Sequence, residues 1–197
     1  MRVIAGTLRR RTLEAPTGLA TRPTSDQLRE TLFNVLAPRI EGAQFLDLYA
    51  GSGAVGIEAA SRGAARVLLV ERADPALRVL RSNLEKLGLR DKLRVEAVSV
   101  AAFLKKARPE SSLPAFDLVF LDPPYDSSME YALALGLLGG QSATLLSEDA
   151  LVIAEHRRKE KLEERYGVLA RIRRLDQGDA SLSFYKKTVS PEPSPFS

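Results

Sequence analysis

Short apolar runs and helix-like stretches alternate regularly between residues 44 and 155, and this alternation restricts the fold more than any other feature of the chain. Strands are predicted at 44–49, 66–71, 93–98, 117–121 and 150–155. Helices are predicted between them at 54–62, 75–87, 100–106 and 129–138. A chain that alternates in this way forms a parallel sheet with right-handed crossovers and helices on both faces. The predicted fold is therefore an α/β, doubly wound domain.

The segments before and after this alternation complete the predicted organisation. Residues 1–40 are predicted to form a basic β-hairpin arm and a helix, both part of the same domain. Residues 168–175 and 180–186 predict a closing antiparallel hairpin, which brings the mostly parallel sheet to seven strands. The main domain thus spans residues 41–187, and the Pro- and Ser-rich tail at 188–197 is predicted to be disordered.

The first predicted strand ends in a glycine-rich loop of the GxGxxG type. The loop contains Tyr49, Ala50, Gly51, Ser52, Gly53 and Gly56. Glycines in this pattern allow a tight turn and a close approach of the backbone to a ligand. Glu71 ends the next strand about 20 residues after Gly51, a separation that suits binding of a ribose diol, and Arg72 follows it. The pattern by itself suits a dinucleotide equally well, or a turn without a ligand.

Asp47 lies in the strand just before this loop and distinguishes between two cofactors. A carboxylate at this position repels the pyrophosphate of NAD, but it attracts the cationic amino group of a methionine moiety. S-adenosylmethionine therefore fits the loop better than NAD does.

The fourth predicted strand is followed by a tetrapeptide that suits a flat ring bearing an amine. The tetrapeptide consists of Asp122, Pro123, Pro124 and Tyr125. Two prolines in succession hold the backbone extended and leave its carbonyls available as acceptors. Asp122 and a neighbouring carbonyl are predicted to accept hydrogen bonds from an exocyclic amine, while Tyr125 stacks on the ring. The simpler alternative is a turn after the strand, with Asp122 as a helix cap.

Positive charge is concentrated in the amino-terminal arm. Five arginines precede residue 25, against the single acid Glu14: Arg2, Arg9, Arg10, Arg11 and Arg22. Because Arg9 to Arg11 lie between two short extended segments, they are predicted to form a hairpin turn that binds phosphates. A solvated run of charge is the alternative.

Composition excludes several kinds of site. The chain has no cysteine and one histidine, His156, so disulfides, thiolate metal sites and multi-histidine sites are excluded and no metal is predicted. No apolar run approaches the roughly 20 residues of a membrane span, and the amino terminus lacks the apolar core of a signal peptide. A cytoplasmic protein is expected. Because no long apolar stripe is left over, a monomer is expected as well.

The order of these features resembles the class I S-adenosylmethionine-dependent methyltransferases that modify exocyclic amines of nucleobases. More narrowly, the chain resembles the RsmD-type bacterial enzymes in three segments: Arg22 to Asp26, Arg29 to Asn34, and Asp47 to Gly56. The resemblance covers residues 1–187. It implies a Rossmann-like fold and S-adenosylmethionine as cofactor. The implied reaction is methylation of a guanine N2, position 966 of 16S rRNA, in small-subunit ribosomal particles.

The resemblance also implies a role for each part of the tetrapeptide. Asp122 would accept a hydrogen bond from the guanine amine and border the cofactor. The Pro123 carbonyl would assist it, and Tyr125 would stack on a base that has left its stack in the RNA.

Four further residues receive roles from the resemblance. Arg22, Thr24 and Arg29 would line the mouth of the site or contact RNA phosphate. The local alternative is a helix cap at Thr24 and a surface ion pair for Arg29. Ser99 stands where related enzymes commonly carry Asp or Asn to contact the cofactor adenine, so its hydroxyl is expected to make that contact or leave it to the backbone.

Three alternatives stay open at this point. A DNA adenine-N6 methyltransferase carries a similar tetrapeptide, although this chain has little room for a separate target-recognition domain. The alternatives of a different class are a nucleotide-binding oxidoreductase and a non-catalytic RNA-binding module.

Overall fold

A computed structural model of the protein describes residues 1–15, 26–106, 115–124 and 128–188. Three residues with predicted roles lie outside the described residues: Arg22, Thr24 and Tyr125. The tail at 189–197 also lies outside them. The expectations for these residues therefore stay predictions.

Eight strands of the described residues form one sheet. They are β1 (Gln44–Leu48), β2 (Arg66–Val70), β3 (Arg94–Glu96), β4 (Phe116–Leu121), β5 (Leu146–Arg157), β6 (Arg165–Tyr166), β7 (Leu169–Gln177) and β8 (Ala180–Lys187). Their order across the sheet is β3-β2-β1-β4-β5-β8-β7-β6. The strands β1 to β5 are parallel to one another, whereas β8, β7 and β6 are added by antiparallel pairing. The mostly parallel sheet is confirmed, with one strand more than predicted, because the two residues of β6 are too few to show a period.

Helices cover both faces of the sheet. The α-helices of the described residues are α1 (Asp26–Ile40), α2 (Ala54–Ser61), α3 (Asp74–Lys86), α4 (Val100–Lys106) and α5 (Ser128–Gly139). Buried apolar side chains form two separate clusters, one containing residues of α1, α2 and α3 and the other containing residues of α4 and α5. The doubly wound arrangement is therefore confirmed. None of the described helices is long and apolar enough to cross a membrane.

Alternate residues of the parallel strands pack into different clusters. In β1, Phe45 belongs to the cluster beside α1 to α3, whereas Leu46 and Leu48 belong to the cluster beside α4 and α5. Successive side chains of a strand point to opposite faces of a sheet. Whether a residue at a strand end lies an even or an odd number of positions after Phe45 or its equivalents therefore decides which group of helices its side chain faces.

Two helix ends differ from the usual signals. Helix α1 continues through Pro38 to Ile40, although proline normally ends a helix. Pro38 lies in the last turn, and Ile40, only 5% exposed, is held by the core. Helix α3 begins at Asp74, and although aspartate is a common cap residue, Ala73 takes the cap position here without a side-chain hydrogen bond.

The amino-terminal arm is a hairpin that packs on the main domain. Arg2 and Thr12 form an antiparallel bridge, and Leu13 N–H donates to the Met1 carbonyl. Val3 and Leu13 are buried in the cluster beside α1 to α3. The predicted hairpin is present, and it shares the hydrophobic core of the sheet.

His156 is a buried residue near the end of β5. It is 1% exposed, and its Nε2 lies 2.9 Å from the Ser183 hydroxyl oxygen. Burial lowers the pKa of His156, opposed by its contact with the Arg157 carbonyl. The pairing of β5 with β8 brings Ser183 to this histidine, so its burial depends on tertiary structure.

Candidate active site

Four acidic side chains lie at the carboxyl edge of the parallel strands. They are Asp47, Glu71, Asp122 and Glu155, and we call them the carboxylate cluster. Each stands two positions after a strand residue that packs beside α1 to α3, namely Phe45, Leu69, Phe120 and Ile153. Side chains two apart on a strand share a face, so all four project towards α1 to α3. The strand ends are level, because Leu121 pairs with Leu48 on one side and with Ala154 on the other.

Asp47 supplies a buried carboxylate beside the glycine loop. It is 1% exposed, and its Oδ2 accepts a 2.9 Å hydrogen bond from the Gly56 N–H. Burial raises the pKa of Asp47 to about 7 against the opposing bond from Gly56, and the charge of Glu71 adds to the rise. A carboxylate held in this way gains strongly from a cationic partner.

The glycine loop forms a closed turn above β1. Gly53 N–H donates to the Ala50 carbonyl at 2.8 Å, and Ala50 N–H donates to the Val70 carbonyl of β2 at 2.9 Å. Gly53 has a φ of 81°, and a Cβ there would lie 2.3 Å from the Leu80 Cδ1. Only glycine satisfies both requirements without strain. Ser52 is buried in the same turn.

Glu71 ties this loop to the end of β2. Its Oε2 accepts from the Gly51 N–H at 2.9 Å, and its Oε1 accepts from the N–H groups of Arg72 and Ala73 at 2.8 and 2.7 Å. An ionised carboxylate has about four acceptor positions, so Glu71 can accept one further bond from a ligand. The Arg72 side chain is exposed, and the backbone N–H of this residue donates to Glu71.

Tyr49 links the glycine loop to the segment that follows Asp122. It has a φ of 64°, which is unusual for a residue with a side chain. Its hydroxyl donates a 2.7 Å hydrogen bond to Oε2 of Glu130, in the first turn of α5. The glycine loop is therefore joined to the first turn of α5 by a direct side-chain bond.

Asp122 occupies the centre of the edge. It is half-buried, Pro123 after it is buried, and Pro124 is exposed. Burial raises the pKa of Asp122 well above its ordinary value, and the charges of Glu155 and Asp47 raise it further. Asp122 is therefore a stronger base than a solvated aspartate.

Glu155 belongs to this site although sequence reasoning missed it. It is 2% exposed, and it lies in β5 one position beyond Ala154, whose partner Leu121 directly precedes Asp122. The signal was present in the sequence, because the predicted strand 150–155 ends on this acid. Its significance depends on the pairing of β4 with β5, which single-strand patterns do not reveal.

Ser99 is half-buried at the start of α4. Its hydroxyl oxygen accepts a 3.2 Å hydrogen bond from the Ala102 N–H, so it acts as the cap of this helix. A hydroxyl that accepts such a bond still has its own hydrogen to donate. The expected contact with a cofactor adenine is therefore compatible with capping.

The structure places Arg29 inside the protein rather than at the mouth of a site. Its side chain is fully buried, and its Nη2 donates to the Arg2 carbonyl at 2.5 Å and to Asp26 Oδ1 at 3.0 Å. Its Nε lies 3.9 Å from Oε2 of Glu58. The alternative ion pair with Asp26 is present, but the Arg29 side chain in it is fully buried, whereas that of Asp26 is 49% exposed. In this structure Arg29 is inaccessible to an RNA phosphate.

Arg9, Arg10 and Arg11 are exposed on the turn of the hairpin. Among the described residues, none of the three forms an ion pair. The same turn contacts Ser61 at the carboxyl end of α2, whereas the glycine loop precedes the amino end of that helix. The structure therefore does not bring these arginines together with the carboxylate cluster.

A profile of the family described as "Conserved hypothetical protein 95" matches residues 1–186. The chain is 38% identical over 187 residues to "Putative rRNA methyltransferase YlbH" of Bacillus subtilis (strain 168), which covers 95% of this chain and 99% of that protein. It is 41% identical over 125 residues to "Ribosomal RNA small subunit methyltransferase D" of Escherichia coli (strain K12), which covers 64% of this chain and 60% of that protein.

Solved structures share the whole fold. "Putative methyltransferase yhhF from Escherichia coli" matches with a TM-score of 0.78 at 34% identity, over 95% of this chain and 97% of that chain. A hypothetical protein of Thermus thermophilus matches with a TM-score of 0.78 at 32% identity, over 94% of this chain and 99% of that chain. The arm, the sheet and the carboxyl-edge site thus lie within an architecture that these proteins share.

Proposed function

Because the chain belongs to the family described as conserved hypothetical protein 95, we propose that it transfers a methyl group from S-adenosylmethionine to the N2 of a guanine in 16S rRNA. Relatives in two bacteria are named as rRNA methyltransferases. The position of Asp122 is the observation that carries the proposal. Asp122 precedes the buried Pro123 and faces the same side of the sheet as Asp47, so an acceptor for an amine lies beside a loop suited to a methyl donor.

The residues around the glycine loop fit S-adenosylmethionine. Asp47 offers a buried carboxylate to the amino group of the methionine moiety, and Glu71 keeps acceptor capacity for a ribose hydroxyl. Gly51 has a φ of 56°, and a Cβ there would meet no atom closer than 4.0 Å, so the backbone is open on that side to a ligand. Ser99 is proposed to donate its hydroxyl hydrogen to the adenine.

When bound, S-adenosylmethionine supplies an electrophilic methyl group on its sulfonium. The task of the chain is to orient the guanine N2, whose lone pair is delocalised into the ring. Asp122 accepts one hydrogen bond from this amine and the Pro123 carbonyl accepts the other, while Pro124 keeps the backbone extended. Asp122 then takes the proton that N2 loses, which its raised pKa favours. Tyr125 is proposed to stack on the base, which must first leave its stack in the RNA.

The hairpin is proposed to hold the RNA. Arg9, Arg10 and Arg11 present exposed guanidinium groups that suit phosphates. Arg22 and Thr24 are proposed to extend this contact towards the active site. The proposed substrate is the small-subunit ribosomal particle, and the protein is proposed to act as a cytoplasmic monomer.

The proposal is tested by radiolabelled methyl transfer to small-subunit particles from cells that lack this enzyme, with the product nucleoside identified by mass spectrometry. N2-methylguanosine in 16S rRNA is the expected product. Methyladenosine, or labelling of DNA alone, would move the assignment to an adenine methyltransferase. Binding of NAD without S-adenosylmethionine would indicate an oxidoreductase, and RNA binding without any transfer would indicate a non-catalytic module.

Replacing Asp47 with asparagine is expected to weaken the binding of S-adenosylmethionine by about 10- to 100-fold, because a charged hydrogen bond contributes about 1.5–3 kcal/mol. The pKa of about 7 adds a pH signature. The carboxylate is ionised above this pKa, so wild-type affinity falls about tenfold from pH 8 to pH 6, and the asparagine variant loses this dependence. Isothermal titration at both pH values measures the effect. Asp74→Asn, at an exposed residue of α3, is the control and should keep the wild-type pH dependence.

Replacing Glu155 with glutamine is expected to shift the acid limb of the kcat profile to lower pH. Asp122 must be ionised to accept the amine, so activity is present above its pKa and is lost below it. Removing the Glu155 charge removes one cause of the raised pKa. The measurement is kcat at saturating substrates between pH 5 and 9. Glu148→Gln changes an exposed glutamate of the same strand and should leave the limb in place. If the acid limb of the kcat profile does not move in Glu155→Gln, the charge of Glu155 does not raise the pKa of Asp122.

A further inference from the structure

The hairpin runs along α2 from one edge of the sheet to the other. At one end, Glu14 exchanges hydrogen bonds with the buried Asn83, which also donates to the Ser52 carbonyl in the glycine loop. At the other end, Thr7 N–H donates to the Ser61 carbonyl at 2.8 Å. The eight residues of α2 separate these ends by about 12 Å. The arginine turn therefore lies at the amino edge of the parallel strands, opposite the carboxylate cluster.

A cleft of about 400 Å³ opens beside this turn. It is lined by the hairpin turn, the end of α2, the start of β2 and the segment after α3. Its floor is apolar, because Val67, Leu89 and Leu93 line it and are each less than 10% exposed. Arg66 and Lys92 line it as well, and both are exposed. The cleft therefore combines an apolar floor with a cationic rim.

Positive charge is concentrated around this cleft. The segments 6–11, 60–67 and 87–93 together carry seven Lys and Arg residues and one acid, Asp91, a balance of +6. The whole chain has a net charge of +4, so all the rest of it is negative by two charges. Of the seven cations, Arg62 is paired with the buried Glu58 and Arg90 with Glu85, and all but Arg62 are exposed. Among the described residues, Arg66 and Lys92 form no ion pair.

We propose that this cleft and the arginine turn form a second RNA-binding site, remote from the methyl-transfer site. The cations would neutralise the sugar–phosphate backbone, and the apolar floor would receive one unstacked nucleotide of a single-stranded rRNA segment. The proposal rests on the proposed function, because it takes the occupant from the substrate of that reaction. A parallel strand of five residues spans about 16 Å, and this length separates the two edges of the sheet at which the sites lie. RNA bound to both sites must therefore reach across the molecule. A short fragment around the target guanine would not fill both sites.

The energetic test replaces both rim cations with alanine (Arg66→Ala, Lys92→Ala). We expect KM for small-subunit particles to rise about tenfold with kcat at saturation unchanged, because the methyl-transfer site is intact. Removing two phosphate contacts should also make the slope of log K against log salt shallower by about 1.4. The control removes two exposed cations elsewhere, Lys105→Ala with Arg173→Ala. Equal effects in the two double variants, or an unchanged salt slope, would overturn the proposal.

A second measurement does not depend on losing affinity. Because the chain has no cysteine, Thr7→Cys places a single thiol at the cleft, and Ile172→Cys places one on the exposed part of β7. Bound particles should slow alkylation of the thiol at position 7 and leave the one at position 172 unchanged. An unchanged rate of alkylation at position 7 would exclude the site. If a higher protein concentration slows alkylation at position 7 in the absence of RNA, the occupant of the cleft is a second copy of the chain and not RNA. If the wild-type protein binds particles and methylates them while these tests fail, only the second site is wrong; if it does neither, the proposed function fails with it.

Discussion

Replacing Asp122 with asparagine is expected to lower kcat for methyl transfer by about 10³-fold or more, while S-adenosylmethionine affinity changes by less than about tenfold. A group that accepts a proton in the reaction typically contributes about 10²- to 10⁴-fold. The amide keeps the shape of the side chain, but it cannot take the proton from guanine N2, and one of its two polar atoms becomes a donor facing an amine. Single-turnover transfer to small-subunit particles, together with titration of the cofactor, measures both quantities.

The control for this variant lies on the same strand. Asp117 is at the amino end of β4, where its Oδ2 accepts from the Gln44 N–H at 2.9 Å. Asp117→Asn keeps an acceptor for that bond and is distant from the carboxylate cluster, so its kcat should match the wild type. If Asp122→Asn keeps activity within about tenfold of the wild type, the tetrapeptide is a turn that has no role in the chemistry.

Replacing Glu58 with alanine is expected to lower the free energy of unfolding by about 3–5 kcal/mol, because it removes one partner of a buried ion pair. The carboxylate is fully buried and bonds the N–H groups of Ile4 and Ala5 at 2.8 and 3.0 Å. It also accepts from Arg62 at 2.7 Å and lies near the buried Arg29. Its loss leaves the two backbone donors and the Arg62 guanidinium without this acceptor, and it removes the negative charge beside the buried Arg29. Urea unfolding followed by circular dichroism measures the change.

Glu85→Ala is the matched control for this stability prediction. Glu85 belongs to α3 and is paired with Arg90 at 4.0 Å, with both side chains more than 70% exposed. Pairs of this kind contribute at most about 1 kcal/mol, so the variant should unfold close to the wild type. In Glu58→Ala, amide hydrogen exchange at Ile4 and Ala5 should accelerate more than at the centre of β1. A loss below about 1 kcal/mol would show that the hairpin does not depend on this carboxylate.

The order of strands and helices could be predicted from the sequence because local chemistry decides it. Two local signals act over a few residues: the alternation of buried and exposed positions within a strand, and the glycines and prolines that end helices and strands. The helix predicted at 75–87 is Asp74–Lys86, and the strand predicted at 44–49 is Gln44–Leu48. The glycine loop, Asp47 and Asp122 were recognisable for the same reason, since they directly follow or end such strands.

Strand pairing and packing could not be predicted in the same way. The strand predicted at 150–155 extends over Leu146–Arg157, because β4 pairs with it at Leu146 and β8 pairs with it as far as Arg157. Glu155 ends a recognisable strand, yet only its position beside Asp122 gives it a role. Arg29 has a helix-surface partner three residues away, Asp26, and only the docking of the hairpin buries it.

The sequence by itself determined the α/β alternation, the glycine loop and the tetrapeptide, and with them the class of chemistry. Only the tertiary structure decided that four acids share one face, that Arg29 is structural, and that the arginine turn lies at the edge opposite Asp122. The physical reason is the separation along the chain over which each kind of interaction acts. Backbone propensity and side-chain period act between neighbours in the chain, whereas burial and the charge of one carboxylate acting on another depend on residues brought together by folding, such as Glu58 and Ile4, which lie 54 positions apart.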